Sequence, residues 1–373
     1  NINASPFHIN KLVERKELLS KRCKQVGFPI LYINLIGGQD ELVFDGGSMA
    51  ANAEGECCFQ APSYVEGLYS LEILVSQDGR IEIPHKSIAN DLDLEADVYQ
   101  SLVLGVRDYV NKNKFKGVVL GLSGGIDSAL TLAIAVDALG SDRVQAVMMP
   151  FEFTSQLSLD VAAKQAKKLG VNYQVIAINE IYHSFIDALS EEFAGTAVDV
   201  SEQNIQARAR GVLLMAISNK QGLLVLTTGN KSEIAVGYST LYGDMAGGFD
   251  VLKDVSKTLV YKLANYRNNS FLQHREEIIP QLVIDRAPSA ELAPNQVDQD
   301  SLPDYEVLDQ ILELYIEKDR SAEDIIKDGF AEDIVRRILR LVDLNEYKRR
   351  QSPVGVRLTE RGFGRDRRYP ITN

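Results

Sequence analysis

The sequence predicts an α/β fold in which a parallel β-sheet forms the centre of the larger, C-terminal part. From about residue 97 onward, short apolar and β-branched runs alternate with longer helix-like runs. Such alternation is typical of strands that are joined by right-handed helical crossovers, and these strands are therefore expected to be parallel. A glycine-rich turn follows the first of these strands. Ligands of such sheets lie at the carboxyl ends of the strands, so we expect a binding site at this turn.

The elements of this part follow from the periodicity of their apolar residues. The predicted strands are 117–122, 144–149, 173–178 and 223–227, and the predicted helices lie near 98–112, 128–139, 158–169 and 201–219. Two more helices are expected near 304–318 and 331–347. The apolar stripes of these last two helices are predicted to face the core.

The N-terminal part of the sequence has a different pattern. Residues 1–75 are predicted to form a β-rich unit, with a basic helix near 8–26, strands at 30–34 and 41–44, and turns at 37–40 and 45–48. This unit is too short to bury a full core by itself. Residues 76–96 are polar and acidic and are predicted to be a linker, which leaves 97–373 as the main domain.

The composition narrows the classes of function. A formal charge of −12 argues against nucleic-acid binding, which requires a basic surface. The sequence contains no apolar run long enough to span a bilayer, so no membrane association is expected. The cysteines show no metal-ligand spacing and favour a reducing compartment. A cytoplasmic location is therefore expected.

The glycine-rich turn at residues 121–128, Gly-Leu-Ser-Gly-Gly-Ile-Asp-Ser, is expected to bind a phosphate group. A strand, a turn and a helix in this order direct backbone N–H groups and a helix N-terminus at one point, which suits an anion. Ser123 and Ser128 add hydroxyl donors, and Gly124 and Gly125 permit close approach of the ligand. An ordinary connecting turn is the simpler alternative.

Asp127 within this turn indicates a metal ion. Its carboxylate would repel a phosphate unless Mg²⁺ stood between them. Residues 227–233 follow a second strand, and Glu233 is directed from that strand end towards the same cleft. Two carboxylates from two strand ends are suitable ligands for a hard cation. A simpler interpretation assigns Thr228 or Asn230 to the N-cap of a helix.

Several segments of the sequence resemble one enzyme family. Ser123-Gly124-Gly125-Ile126-Asp127-Ser128 resembles the pyrophosphate-binding loop of the ATP pyrophosphatase superfamily, which includes the NAD, GMP and asparagine synthetases. Segments 201–210, 227–233, 242–251, 253–258, 288–305 and 361–373 are similar to the glutamine-dependent branch of the NAD synthetases. The resemblance implies a parallel-sheet, Rossmann-like ATP pyrophosphatase domain, preceded by a partial α/β nitrilase-like segment.

The activity that this resemblance implies is the ATP-dependent amidation of deamido-NAD to NAD. The expected reaction passes through an NAD-adenylate and releases AMP and pyrophosphate, so the enzyme is a ligase that forms a C–N bond. Its nitrogen comes from ammonia or glutamine, and the family pattern implies a homodimer. Two alternatives stay open at this point. One is another amidating enzyme such as a GMP synthetase, and the other is a nucleotide-binding module that has lost catalysis.

The resemblance also implies a role for each residue of the site. ATP and its pyrophosphate are expected to contact Gly121, Ser123, Gly124, Gly125, Asp127, Ser128, Met149, Thr228 and Lys257. Deamido-NAD is expected to contact Asn204, Arg208, Lys231, Glu233, Asp244, Asp250 and Lys348, although solvated helix charges are the alternative for Asn204 and Arg208. The expected catalytic residues are Asp244, Asp250 and Lys257, and the expected Mg²⁺ ligands are Asp127 and Glu233. Asp244 or Asp250 either accepts a proton from ammonium or holds the substrate by a hydrogen bond.

The sequence departs from the family pattern in two places. In the glutamine-dependent branch, a nitrilase-like glutaminase domain with a Glu-Lys-Cys triad precedes the synthetase, and residues 1–75 resemble only its last part. None of the three cysteines, Cys23, Cys57 and Cys58, matches the nucleophile of that triad. We therefore expect a truncated chain that uses ammonia and not glutamine. The second departure is Glu152, which stands where basic residues and tyrosine often lie near the adenine.

Overall fold

The computed structural model of the chain describes residues 1–269, 277–293, 298–300 and 302–372. Its strands are β1 Ile2–Asn3, β2 Ile30–Asn34, β3 Ile36–Gln39, β4 Leu42–Asp45, β5 Met49–Ala51, β6 Cys57–Gln60, β7 Leu74–Val75, β8 Ile81–Glu82, β9 Val118–Gly121, β10 Val144–Met148, β11 Asn172–Val175, β12 Leu224–Thr227 and β13 Phe249–Asp250. Its α-helices are α1 Lys11–Val26, α2 Leu94–Lys112, α3 Ile126–Leu139, α4 Gln156–Leu169, α5 Asn179–Ala188, α6 Val200–Gln221, α7 Lys231–Val236, α8 Lys257–Asn269, α9 Gln281–Asp285, α10 Tyr305–Leu312, α11 Ala322–Lys327, α12 Glu332–Leu344 and α13 Glu346–Arg349. Residues 294–297, 301 and 373 of the family-like segments lie outside the described residues.

A five-stranded parallel sheet organises the larger part of the molecule. Its strand order is β11-β10-β9-β12-β13, and each neighbouring pair is parallel. Val118 of β9 pairs with Val144 of β10 on one side and with Leu224 of β12 on the other. The predicted parallel α/β fold and its four predicted strands are thus confirmed. The sequence does not predict β13, because two residues within a glycine-rich loop carry no periodic signal.

Both faces of this sheet are buried, which explains the continuous apolar runs of its strands. Val118 and Leu120 of β9 belong to a core that includes residues of α2, α3 and α8. Val119, between them, belongs to a second core with Val147 of β10 and Leu214 of α6. Successive side chains of a strand point to opposite faces, so the two cores lie on the two sides of the sheet.

The N-terminal segment forms a small mixed sheet that shares the main core. Its strand order is β1-β2-β5-β6, with β1 parallel to β2 and the other pairs antiparallel. Phe7 and Val43 pack in the same core as Val98 of α2. The turn predicted at 37–40 is wrong, because β3 covers most of it and pairs with β4. The chain turns instead at Asp40, whose φ is 54°.

The predicted linker at 76–96 contains regular structure. β7 and β8 form a hairpin at its beginning, and α2 begins at Leu94, within its last residues. The Tyr64 hydroxyl donates a hydrogen bond of 2.7 Å to Asp97 of α2, so contacts also connect the two sides of this segment. The division into domains at 1–75, 76–96 and 97–373 stays a prediction.

A third core holds the C-terminal helices around α7. Leu308 of α10 and Val335 of α12 pack with Ile234 of α7. Both helices predicted for this region are interrupted: α10 continues into a π-helical turn at Glu313–Glu317, and α12 and α13 meet at Asn345. The helix α7 therefore lies between the end of the sheet and this helical core. None of the described helices combines the length and the apolar character that a bilayer crossing requires.

Candidate active site

A cavity of about 280 Å³ opens at the carboxyl ends of β9, β10 and β12. This is the edge of the sheet at which the sequence predicts a site. Most of the predicted site residues line this cavity, namely Gly121, Ser123, Gly125, Asp127, Ser128, Met149, Thr228, Glu233, Asp244, Asp250 and Lys257. They come from separate strand ends and loops, and the parallel sheet brings them together.

The loop between β9 and α3 is held in place by its own serines. The Ser128 hydroxyl accepts a hydrogen bond from the N–H of Ser123 at 3.2 Å and donates one to the Gly125 carbonyl at 3.0 Å. Gly124 has a φ of 82°, and a Cβ there would lie 2.5 Å from the Ser158 carbonyl oxygen, so only glycine fits. Gly125 is the N-cap residue of α3 and supplies no side chain to the helix N-terminus, where N–H groups attract an anion.

Asp127, Glu233 and Lys257 form an ion cluster inside the cavity. Lys257 Nζ lies 2.6 Å from Asp127 Oδ2 and 2.9 Å from Glu233 Oε1. The Lys257 side chain is 2 % exposed, and each carboxylate side chain is 17 % exposed. The Tyr305 ring supports the ammonium group at 5.4 Å. The two predicted metal ligands therefore converge on one point, at which the structure places an ammonium group.

This cluster contains two carboxyl groups and a single ammonium group. Burial raises the pKa of Glu233 to about 7, and the nearby Asp127 carboxylate adds to this increase. Burial opposes the charged form of Lys257, but the two carboxylates outweigh it and raise the pKa of Lys257 well above its usual range. A further carboxyl group, that of Asp298, reaches the cavity and accepts a hydrogen bond of 2.8 Å from Tyr305. The cluster therefore suits cations.

Asn230 connects the two strand ends. It is fully buried at the N-cap of α7, where its Oδ1 accepts a hydrogen bond from the N–H of Glu233 at 3.1 Å. Its Nδ2 donates to Asp127 Oδ1 at 2.8 Å. The N-cap interpretation is therefore confirmed for Asn230, and the same side chain also orients Asp127.

Two more acids reach the cavity from the segment that follows α7. Asp250 on β13 is 2 % exposed, and burial raises its pKa to about 7. Its Oδ1 has no hydrogen-bond partner among the described residues. Asp244 is more exposed and accepts a hydrogen bond from the N–H of Thr240 at 2.8 Å. A buried carboxyl group that titrates near neutrality is suited to accept a proton or to hold a donor group of a ligand.

The face of α6 that reaches the cavity differs from the predicted one. Ala207, Arg210, Gly211 and Leu214 line the cavity and share one helix face. Arg210 Nε donates to the carbonyl oxygen of Met149 at 3.0 Å, and burial lowers the pKa of Arg210 to about 10. The sequence prediction misses Arg210. Ala207 and Gly211, the small residues near Arg210 on this helix face, could have indicated a wall of the site, because they leave room for a ligand.

Three of the residues predicted to bind deamido-NAD contact a loop instead of the cavity. Asn204 accepts a hydrogen bond from the Thr240 hydroxyl at 2.8 Å. Arg208 donates to a backbone carbonyl of the same 237–248 loop at 3.3 Å, and Lys348 donates to two of them at 2.8 and 2.9 Å. These side chains hold the loop that carries Asp244, so the structure does not bring them into the cavity.

Lys231 lies on the far side of α7 from the cavity. Its Nζ is 2.8 Å from Asp254 Oδ1 and 2.6 Å from Glu317 Oε1, and the residue is 3 % exposed. Residues i and i+2 of a helix are about 200° apart around the helix axis, so Lys231 and Glu233 face different sides. Its position therefore does not support the expected contact of Lys231 with deamido-NAD.

Glu152 also lies outside the cavity. Its carboxylate is 3.3 Å from His183 Nε2, and the preceding residue, Phe151, is buried in the same core as Met149. The apolar wall of the cavity at the end of β10 is formed by Met149 together with Leu214. The departure from the family pattern at Glu152 thus leaves this wall intact.

Comparison with known proteins identifies the family of the chain. The family model for NAD synthase matches residues 98–352, which is more than half of the sequence. The chain belongs to the NAD synthase family. The glutamine-dependent NAD(+) synthetase of Acinetobacter baylyi is 54% identical over 372 residues, which cover 100% of this chain and 68% of that protein. The enzyme of the same name from Xylella fastidiosa is 48% identical and is covered to 67%.

Solved structures of NAD synthetases share the fold. The glutamine-dependent enzyme from Acinetobacter baumannii, determined in complex with ADP, is 51% identical with a TM-score of 0.73, and the match covers 100% of this chain and 67% of that one. The NH3-dependent NAD synthetase from Campylobacter jejuni is 27% identical with a TM-score of 0.55, and the match covers 69% of this chain and 96% of that one. The predicted family, the class of C–N bond-forming ligases and the use of ATP are thus confirmed. The glutamine-dependent relatives match the whole chain, and the predicted loss of the glutaminase site is not confirmed.

Proposed function

We propose that this chain amidates deamido-NAD to NAD through an NAD-adenylate. A carboxylate oxygen of the nicotinate ring attacks the α-phosphorus of ATP, and the bond from that phosphorus to pyrophosphate breaks. Ammonia then attacks the adenylated carbonyl carbon, and AMP leaves. The observation that supports this proposal is the convergence of the phosphate loop, Asp127, Glu233, Lys257 and Asp250 in one cavity at the sheet end.

The loop between β9 and α3 is proposed to hold the leaving pyrophosphate. The N–H groups at the start of α3 and the Ser123 hydroxyl are donors directed at developing negative charge. Lys257 adds a permanent positive charge from α8. Both features stabilise pyrophosphate more than the bound ATP, and this difference is what accelerates the reaction.

Asp127 and Glu233 are the proposed ligands of Mg²⁺. They supply oxygen donors from two strand ends, and the Lys257 ammonium between them is a stand-in for a cation at that position. When bound, Mg²⁺ neutralises phosphate charge and polarises the phosphoryl oxygens. In this proposal Lys257 leaves its place between the carboxylates and turns to the phosphates.

Ammonia is proposed as the nitrogen source for these residues. Asp250 is a buried carboxyl group whose pKa of about 7 suits it to take a proton from ammonium, and holding the substrate by a hydrogen bond is its alternative role. The thiols of Cys23, Cys57 and Cys58 do not line the cavity, and burial raises the pKa of each. A glutaminase nucleophile requires a thiolate, which a raised pKa disfavours.

The proposed activity is tested by incubating the protein with ATP, Mg²⁺, an ammonium salt and deamido-NAD. We expect NAD, AMP and pyrophosphate in equal amounts. A parallel reaction contains xanthosine monophosphate in place of deamido-NAD. Product in that reaction alone would favour a GMP synthetase-like enzyme, and ATP binding without AMP release would favour an inactive nucleotide-binding module.

We also propose that the protein is a cytoplasmic homodimer. The resemblance to NAD synthetases supports a dimer, and its free cysteines suit a reducing compartment. Light scattering after size-exclusion chromatography measures the assembly. A monomer at micromolar concentration would contradict the dimer.

A further inference from the structure

We infer that Asp309, outside the cavity, is a positioning residue that fixes Glu233 and Lys257 relative to one another. It lies on α10 in the C-terminal helical core and is half-buried. The inference rests on the proposed function, because Glu233 and Lys257 are assigned there to the metal and the phosphates. Asp309 itself contacts neither the metal nor the phosphates and acts through the first residues of α7 and α8.

One carboxylate holds the beginnings of two helices. Asp309 Oδ1 accepts a hydrogen bond from the Ser232 hydroxyl, and Asp309 Oδ2 accepts one from the N–H of Thr258 at 2.9 Å. Ser232 is the second residue of α7, and Thr258 is the second residue of α8. A carboxylate at the N-terminus of a helix is also favoured by the helix dipole.

These contacts are directly adjacent to the ion cluster. Ser232 precedes Glu233 in the chain, and Thr258 follows Lys257. The fully buried Ser232 hydroxyl also accepts a hydrogen bond from the N–H of Lys257 at 2.8 Å. The two helix starts are therefore tied to each other through Ser232 and to α10 through Asp309. Glu233 and Lys257, whose side chains meet near Asp127, therefore belong to the two helix starts that these hydrogen bonds hold together.

Because α7 is short, its position depends on the hydrogen bonds of Ser232 to Asp309 and Lys257. A helix of six residues does not hold its shape without external contacts, because too few backbone bonds offset the cost of ordering it. Hydrogen bonds to an ionised carboxylate are among the strong ones. Loss of the Asp309 carboxylate should therefore let α7 and α8 shift relative to one another, and a group displaced by about 1 Å can lower the rate about a hundredfold.

The test compares D309N and S232A with a matched control, D343N. Asp343 lies on α12 of the same helical region and accepts a hydrogen bond of 3.0 Å from the hydroxyl of Tyr315, a residue of neither α7 nor α8. For D309N and for S232A we expect kcat of NAD formation to fall about 10- to 100-fold and the Mg²⁺ concentration for half-maximal rate to rise about tenfold. The double variant should be no worse than the poorer single variant, because both changes break one connection. D343N should leave both quantities within about twofold of the wild type.

A second readout does not depend on turnover. Electron paramagnetic resonance measures the binding of Mn²⁺ together with α,β-methylene-ATP, and D309N and S232A should weaken it relative to D343N. If the wild type forms no NAD, the proposed function fails, and this binding measurement still decides the role of Asp309. If D309N does not fold, S232A decides it, since that change removes a single oxygen atom. Values for D309N and S232A equal to those of D343N would overturn the inference.

Discussion

Replacing Lys257 by Met should destabilise the ligand-free protein and make its stability depend on Mg²⁺. Lys257 Nζ lies 2.6 and 2.9 Å from the carboxylates of Asp127 and Glu233. Removal of one partner from a buried ion pair typically costs about 3–5 kcal/mol. Both carboxylates are 17 % exposed, and Glu233, whose pKa burial raises to about 7, takes up a proton near neutral pH. We therefore expect the lower end of that range, about 3 kcal/mol.

The assay is urea-induced unfolding at neutral pH, in EDTA and in excess MgCl₂. A cation that binds only the folded state raises the free energy of unfolding. Mg²⁺ should stabilise K257M more than the wild type, because in the wild type the ammonium group competes for the same position. An equal response of both proteins to Mg²⁺ would refute the interpretation of this cluster as a cation site.

The matched control is K231M. Lys231 is also buried between two carboxylates, those of Asp254 and Glu317, at 2.8 and 2.6 Å, but on the other side of α7. Asp254 Oδ2 already accepts hydrogen bonds from the N–H groups of Leu358 and Thr359, which leaves this pair poorly arranged for a metal. K231M should lose similar stability in EDTA and gain none from Mg²⁺.

Three further predictions concern Asn230, Asp250 and Arg210. Asn230→Ser keeps the N-cap oxygen but loses the donor to Asp127, so the free energy of unfolding should change by less than about 1 kcal/mol while kcat of NAD formation falls about tenfold. The pKa of Asp250 is raised from 3.8 to about 7, so its contribution to stability is complete below about pH 4 and is lost as the pH rises towards 7. D250N should flatten this decline in urea unfolding, and an unchanged slope would contradict the assignment. R210M should raise the KM for ATP about tenfold in initial-rate assays, with R210K less affected. The reason is that R210M loses the charge-assisted hydrogen bond from Arg210 to the Met149 carbonyl in the cavity wall.

The parallel sheet could be predicted because its strands are buried on both faces. The runs around Val118 and Val144 are apolar without interruption, and the helices between them are long enough to show a period. The elements β13 and α5 could not be predicted, because neither has a long, buried apolar pattern. β13 has two residues, and the exposed helix α5 has no buried residue that would mark an inner face.

The candidate site was predictable where a strand end alone places a side chain. Asp127 and Glu233 follow β9 and β12 by a few residues, and the sheet topology brings them together. Residues farther along a helix depend on its phase, which a linear motif does not specify. The motifs predict that Lys231 and Arg208 reach the cavity. Instead, α7 directs Lys231 away from the cavity, and α6 directs Arg208 away and places Arg210 at the cavity wall.

The balance of charge in the cavity supports the proposed metal independently of any motif. Within the described part of the chain, the cavity is lined by the acids Asp127, Glu233, Asp244, Asp250, Glu291 and Asp298 and by the cations Arg210, Lys257 and Arg286. Carboxyl groups therefore outnumber cationic groups by two to one before a triphosphate enters. Placing a highly charged anion beside these carboxyl groups is unfavourable unless positive charge accompanies it. Lys257 compensates part of that charge and cannot neutralise both the carboxylates and the phosphates at once. In the proposed function, a divalent cation that arrives with ATP would resolve this conflict, because Asp127 and Glu233 would hold it and Lys257 would then be free to contact the phosphates.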